Sequence, residues 1–134
     1  MTGVTDFGVA LDAILSGATP IPAQGARFDV GFEGRLTGRI AGRIRGIDHA
    51  YVRPDGRFEL NLRAVIATDD GARIAFDAGG VGVLRAGEPV LDLSEHVSLL
   101  TASEAYAWAN SRQVWGVGTA NPVTGQIHVE AYLQ

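Results

Sequence analysis

The chain has 134 residues, which suits one domain, and its 46% hydrophobic and 19% charged residues are typical of a globular rather than a disordered protein. A formal net charge of −4 disfavours binding to nucleic acid or to an anionic membrane. Cysteine is absent, which excludes disulfides and thiolate chemistry, and no apolar run is long enough to span a membrane. We therefore expect a cytoplasmic protein with a single domain over residues 1–134.

Short apolar segments alternate with turn residues from the beginning of the chain. The segment 11–15 predicts a strand, with a short helix as the alternative, and from Phe28 onward apolar and polar residues alternate as in a half-buried strand. Three Gly-Arg units over 34–46 then place leucine and isoleucine on one face of an extended segment, and arginines on the other. Glycine on the inward face favours a strongly bent strand or a gap left for a ligand.

The middle of the chain contains the clearest strand, Phe58–Ala67, between two turns. The turn at 53–56 contains Pro-Asp-Gly, and the turn at 68–71 contains Asp-Gly, which is typical of hairpins. The segment 85–100 predicts a strand and a loop, because it alternates but contains Pro89.

The last third predicts one short helix and two strands. Thr101 and Glu104 have the spacing of a helix capping box, which indicates a helix over 102–110, and strands follow over 113–120 and 126–133. Many short strands with regular turns predict an all-β domain. We expect a single closed or nearly closed antiparallel β-barrel of about eight strands, lipocalin-like, with one short helix.

Several segments in a fixed order are similar to a known family. They are Gly34–Gly38, Gly46–Asp48, Val52–Gly56, Glu59–Leu60, Arg63, Thr68–Ala72, Tyr106–Asn110 and Gly116–Gly118. Together they resemble domain-of-unknown-function family three-two-three-seven, a group of small bacterial and fungal proteins. The resemblance implies a barrel similar to allene oxide cyclase and the lipocalins, with a pocket and no particular reaction. His49 departs from it, because the family tends to have tryptophan there.

The strand Phe58–Ala67 has a polar face of three residues, Glu59, Asn61 and Arg63. If this face lines the lumen, the glutamate is a general acid or base beside an arginine that holds developing negative charge. The alternative is a solvated outer face, with Phe58 and its apolar neighbours in the core. The family resemblance favours the lumenal alternative, because Glu59 and Arg63 match its recurrent positions.

Further candidates follow from single residues. Asp48 is a proton acceptor at the barrel mouth or an ordinary strand-end aspartate; with Glu59 and Arg63 it completes the candidate catalytic set. His49 and Tyr51 share a strand face and could handle a proton. The candidate substrate-binding residues are His49, Tyr51, Asn61, Trp108, Asn110 and Trp115. For Trp108 and Asn110 the alternative is a helix that plugs one barrel end, and for Trp115 it is packing in the core.

Metal and nucleic-acid sites are not expected. The three histidines have no metal-site spacing, no phosphate-binding glycine loop is present, and the arginine face lacks interleaved aromatic residues. We accordingly expect no cofactor, no metal, no nucleic acid and no membrane partner. A homo-oligomer, most simply a dimer, is expected because small barrels often pair apolar outer patches.

Three functions are consistent with such a barrel. The first is a cofactor-independent enzyme of the isomerase, cyclase or lyase type, which acts on a small, largely apolar organic molecule. The second is a non-catalytic, lipocalin-like binding protein, and the third is a purely structural dimer. Ionisable side chains bonded together inside a pocket would favour the enzyme, an apolar pocket would favour binding, and a filled lumen would favour the structural role.

Overall fold

The computed structural model describes the backbone of residues 4–12 and both backbone and side chains of residues 25–133. Eight strands and one 3-10 helix follow one another along the chain. They are β1 (Val4–Asp12), β2 (Ala26–Gly38), β3 (Gly42–Val52), β4 (Phe58–Thr68), β5 (Arg73–Leu84), β6 (Leu91–Leu100), the helix (Glu104–Ser111), β7 (Val114–Ala120) and β8 (Gln126–Leu133). In these described ranges, no helix is long and apolar enough to cross a membrane.

Strands β2 to β8 form one curved antiparallel sheet, in which each strand pairs with the next along the chain. The all-β class, the antiparallel pairing and the single short helix predicted from the sequence are confirmed. By themselves, the seven strands whose side chains are described form an open half-barrel, so the prediction of a closed or nearly closed barrel of about eight strands depends on β1. The backbone of β1 lies between its edges and pairs with both β2 and β8, so that the strand order is that of a closed barrel.

Element boundaries agree with the sequence pattern except in three places. The first predicted strand, 11–15, overlaps the end of β1 only at residues 11 and 12, and residues 13–24 lie outside the described part of the chain. The helix is a 3-10 helix that begins at Glu104, and Ser103 makes no capping hydrogen bond through its side chain. The third difference is the Gly-Arg repeat.

The Gly-Arg repeat forms a hairpin, not one bent strand. It comprises the end of β2, a turn at 39–41 and the beginning of β3. The predicted faces are correct, because Leu36, Ile40 and Ile44 are only 2%, 3% and 1% exposed while the arginines face outward. A four-residue repeat keeps its register in a strand, and here it also keeps its apolar residues inward across the turn.

The helix lies at the end of the barrel where β2–β3 and β4–β5 make their turns. The hydroxyl of Tyr106 donates to both carboxylate oxygens of Asp70 at 3.0 Å. The side chain of Asn110 accepts from the N–H of Thr101 at 2.7 Å and donates to its carbonyl oxygen at 2.9 Å. Ala109 is fully buried against the core, so the helix closes this end of the barrel.

We predict that the two faces of β4 differ sharply in their contribution to stability. Ile66 is 1% exposed and its neighbour Val65 is 49% exposed. Ile66→Ala should lower the free energy of unfolding by about 2–5 kcal/mol through lost burial and a new cavity. Val65→Ala should cost less than about 1 kcal/mol, because its side chain faces solvent. Urea denaturation measures both, and equal losses would contradict the orientation of this strand.

Candidate functional site

A cavity of about 570 Å³ occupies the half of the barrel that lies away from the helix. Among the described residues, its lining is apolar except for two carboxylic acids, Asp48 and Glu95. The residues that line it are Ala26, Phe28, Val30, Phe32, Asp48, Ala50, Val52, Phe58, Leu60, Leu62, Phe76, Leu91, Leu93, Glu95, Ala120, Pro122, Ile127 and Val129. A chamber of this size and composition matches the usual dimensions of a small-molecule site.

Glycines on β5 and β7 leave this half of the lumen open. Glu95 on β6 is opposite Gly80 on one side and Gly116 on the other, and Leu93 lies between two further glycines in the same way. A Cβ at Gly118 would lie 1.9 Å from a carbonyl oxygen of β8, so this close approach of backbones requires glycine. The sequence predicted that inward glycines of the Gly-Arg repeat could leave a gap for a ligand. The glycines that border the cavity instead lie on β5 and β7.

Glu95 is the most deeply buried acid of the described residues. It is 5% exposed, and its carboxyl group has no hydrogen-bond partner among the residues that the structure describes. Burial and, to a smaller extent, the nearby negative charge of Asp48 together raise its pKa to about 7. At neutral pH a large fraction of Glu95 therefore carries a proton and can donate a hydrogen bond.

Asp48 is the second acid of the cavity and is held by the backbone of the next strand. Its Oδ1 accepts the N–H of Asn61 at 2.9 Å. The β3–β4 ladder runs from the pair Asp48–Leu62 directly to Tyr51–Glu59, so this carboxylate occupies a gap in the ladder. Burial raises the pKa of Asp48, while the Asn61 N–H and the neighbouring His49 oppose the rise. The structure thus places one sequence-predicted catalytic residue in the cavity lining.

Sequence reasoning missed Glu95, although the pattern contained it. Strand β6 alternates strictly between buried and exposed residues, and Glu95 lies on the buried face with Leu93 and Val97. An ionisable residue at an inward position of such a strand indicates a function, because burying an unpaired charge is costly. Pro89 makes the segment 85–100 predict a strand and a loop, which obscures the strict alternation of β6.

The lumenal placement expected for Glu59, Asn61 and Arg63 is wrong. All three are exposed on the outer face of β4, while the intervening apolar side chains line the cavity. Arg63 Nε lies 3.9 Å from Asp77 Oδ1, and both side chains are more than half exposed. The apolar residues of β4 take the inner face because their burial removes more apolar surface from water.

Two further candidates from β3 lie on the outer surface. His49 Nδ1 is 2.8 Å from Asp29 Oδ1, and both side chains are about 40% exposed. Tyr51 points to the same side, because alternate residues of a strand share a face. Neither lines the cavity, so the expected proton-handling pair does not meet the site.

The three remaining candidates also lie away from the cavity. The guanidinium carbon of Arg39 is 3.9 Å from the centre of the Trp108 ring at the closed end of the barrel. Asn110 binds Thr101 in the same region, and Trp115 is 45% exposed on the outer face of β7. Trp108 and Asn110 hold the helix at this end, which agrees with the alternative of a helix that plugs the barrel. Trp115 lies on the outer surface.

Within residues 25–133, no cluster of three or more histidine, aspartate or glutamate side chains could hold a metal ion. The two cavity acids line one chamber and interact electrostatically, and together they offer a proton donor and a proton acceptor. Such groups can perform proton transfer and hydrogen bonding to a bound organic molecule.

Comparisons with known proteins identify relatives of the whole chain. The family model described as "Protein of unknown function (DUF3237)" matches residues 4–133. A search of curated proteins finds no match. A protein of unknown function from Clostridium acetobutylicum has 25% identity and a TM-score of 0.84, with 98% of this chain and 93% of that chain covered.

Two other solved structures are similar. A β-barrel-like protein from Acinetobacter baumannii AYE has 23% identity and a TM-score of 0.84, with 98% of this chain and 92% of that chain covered. An enzyme from Penicillium herquei has 19% identity and a TM-score of 0.65, with 100% of this chain and 97% of that chain covered. These two similarities support the barrel-like fold.

We predict that Glu95 makes the protein less stable as the pH rises from about 4.5 to about 7. In this window the unfolded chain releases the Glu95 proton, whereas the folded chain keeps it, because its pKa is raised from 4.5 to about 7. This difference lowers the free energy of unfolding by up to roughly 3 kcal/mol at pH 8. Glu95→Gln should remove this loss and be more stable than the parent protein at pH 8.

Urea denaturation at pH 5 and pH 8 measures the effect. Glu88→Gln is the matched control, since Glu88 is exposed in the turn between β5 and β6. The control should keep the pH dependence of the parent protein. A Glu95→Gln variant with the same pH dependence as this control would show that Glu95 titrates normally.

Proposed function

The chain belongs to the DUF3237 family, and from the chemistry of its cavity we propose that it is a cofactor-independent enzyme of the isomerase, cyclase or lyase type. Its substrate is a small, largely apolar organic molecule bound in the barrel lumen. Asp48 transfers the proton, and Glu95 stabilises the negative charge that develops on the substrate. The observation that supports this function is the presence of two carboxyl groups in an otherwise apolar chamber.

The two acids have environments that separate their roles. Glu95 is almost fully buried and has no described partner, so it holds a proton near neutral pH. Asp48 accepts a backbone N–H, which favours its ionised form. A neutral carboxyl beside a carboxylate is a general acid and hydrogen-bond donor beside a general base.

The proposed reaction is transfer of a proton between positions of the substrate. Asp48 takes a proton from a carbon next to a carbonyl group, and the electron pair of that C–H bond moves toward the carbonyl oxygen. Glu95 stabilises the resulting charge by donating a hydrogen bond to that oxygen. If the enolate is conjugated, Asp48 returns the proton to its γ-carbon and completes an isomerisation. If the β-carbon carries a leaving group, the enolate electron pair expels it, and the group departs with the proton from Asp48, which completes an elimination. If the enolate carbon attacks a second carbonyl carbon of the substrate, the electron pair of that C=O bond moves to its oxygen and takes up the Asp48 proton, which completes a cyclisation.

One structural relative supports the proposal of catalysis in this fold. The Penicillium herquei protein is an enzyme with a similar chain trace over the full length of this domain. The remaining apolar lining also supports the second candidate function, a non-catalytic lipocalin-like binding protein, because 16 of the 18 described lining residues carry no ionisable group.

We predict that the protein accelerates hydrogen–deuterium exchange at carbons next to a carbonyl in small apolar ketones. Acetophenone and β-ionone in D₂O at pH 7 are suitable probes, with NMR as the readout. Asp48→Asn should lower the rate at least about 100-fold, since it removes the general base. Glu95→Gln should lower the rate at least about tenfold, since an amide is a poorer donor to the developing charge.

The exposed variant Glu88→Gln should exchange at the rate of the parent protein. Saturable binding of both ketones without exchange above the buffer rate would support the binding protein and contradict the enzyme. Unchanged exchange in Asp48→Asn would exclude this residue from the mechanism.

A further inference from the structure

The buried carboxyl of Glu95 needs a hydrogen-bond partner that the described protein residues do not supply. It is 5% exposed, and its neighbours in the sheet, Gly80 and Gly116, have no side chains to offer one. A Cβ at Gly116 would lie 3.4 Å from Glu95 Oε2, so the carboxyl extends alongside this bare strand. Buried polar groups in proteins are nearly always paired, so this carboxyl is available to a polar atom of a ligand.

Asp48 offers the second polar contact. Its Oδ1 is occupied by the N–H of Asn61, and its Oδ2 has no hydrogen-bond partner among the residues that the structure describes. A ligand with one oxygen-bearing group can therefore accept from the protonated Glu95, and a hydroxyl can also donate to Asp48. The remaining contacts of the ligand are with aliphatic and aromatic side chains.

The charges of the lining exclude an anion. The described lining contains two acids and no arginine or histidine, so a carboxylate in the lumen would meet negative charge without a compensating cation. In an apolar chamber this repulsion is poorly screened. A ligand ammonium group is attracted by the two acids, but the cost of removing it and a carboxylate from water in a chamber whose other described lining is apolar can exceed that attraction.

We propose that the lumen selects uncharged, oxygen-bearing apolar molecules, such as ketones, alcohols and phenols, and rejects fatty-acid-like carboxylates of the same size. This inference rests on the proposed function, since it names the substrate class of the same cavity. Asp48 and Glu95 are the specificity-determining residues, and selection arises from charge more than from shape.

A matched series of ligands tests the selection. Decanol, decanoate and decylammonium share one alkyl chain and differ in charge at pH 7. Isothermal titration calorimetry and displacement of the uncharged dye Nile red measure their affinities for the intact protein. We expect decanol to bind at least about tenfold more tightly than either ion, because only the alcohol enters without uncompensated charge.

The variants Asp48→Asn, Glu95→Gln and the combination of both separate charge repulsion from the general cost of burying an ion. The double variant should bind decanoate at least about tenfold more tightly than the parent protein and decanol within about threefold, because the repulsion is removed. Glu88→Gln is the control and should leave all three affinities unchanged. Circular dichroism and the urea midpoint confirm that each variant is folded.

Each result decides the proposal. Decanoate affinity equal to that of decanol, or unchanged in the double variant, would overturn charge selection while leaving a ligand-binding lumen. Decylammonium binding more tightly than decanol would overturn the preference for uncharged ligands. Failure of all three to bind or to displace Nile red would overturn the proposed function itself.

Discussion

The cost of burying a carboxyl group in an apolar chamber governs the chemistry of this protein. Glu95 lies inside the barrel with almost no exposure to water, so its neutral form is favoured up to a pH of about 7. Asp48 shares the chamber, and its negative charge makes that of Glu95 harder to form. The protein tolerates this cost at the expense of stability. Residues that weaken a fold without an internal partner are typical of functional sites.

The barrel divides into a filled half and an open half along the same strands. Toward the helix, isoleucine and phenylalanine side chains such as Ile74 and Phe76 pack against one another with almost no exposure. Toward the other end, the inward positions of β5 and β7 are occupied by glycine, and the space that side chains would fill remains as the cavity. The filled half supplies the hydrophobic stabilisation that permits the open half to remain empty and to contain two acids. The helix contributes to the filled half through its bonds to Asp70 and Thr101.

The proposed catalytic pair combines one residue that sequence reasoning selected and one that it missed. Asp48 was selected at the end of the Gly-Arg segment, and the structure places it in the cavity. Glu59 and Arg63 were predicted from the polar face of the clearest strand, and both lie on the outer surface. There the exposed ion pair between Arg63 and Asp77 contributes little to stability. Grouped polar residues on one strand face do not point to Glu95, which is the one acid on the inward face of β6. A single acid among alternating apolar residues is the more informative pattern, since it has no solvated face on which to lie.

The sequence alone was sufficient to predict the all-β class, the antiparallel pairing, the strand β8 and the inward face of Leu36, Ile40 and Ile44. The patterns that predict them are the period-two alternation and the composition of the turns. Alternation separates the two faces of a strand locally, and turn residues impose their own backbone angles. Only the tertiary structure decided that the Gly-Arg repeat folds back as a hairpin, that the polar face of β4 points outward and that Asp48 and Glu95 share one chamber. Those facts depend on which strands become neighbours around the barrel. Two residues 47 positions apart come to line one cavity only through the packing of the whole sheet.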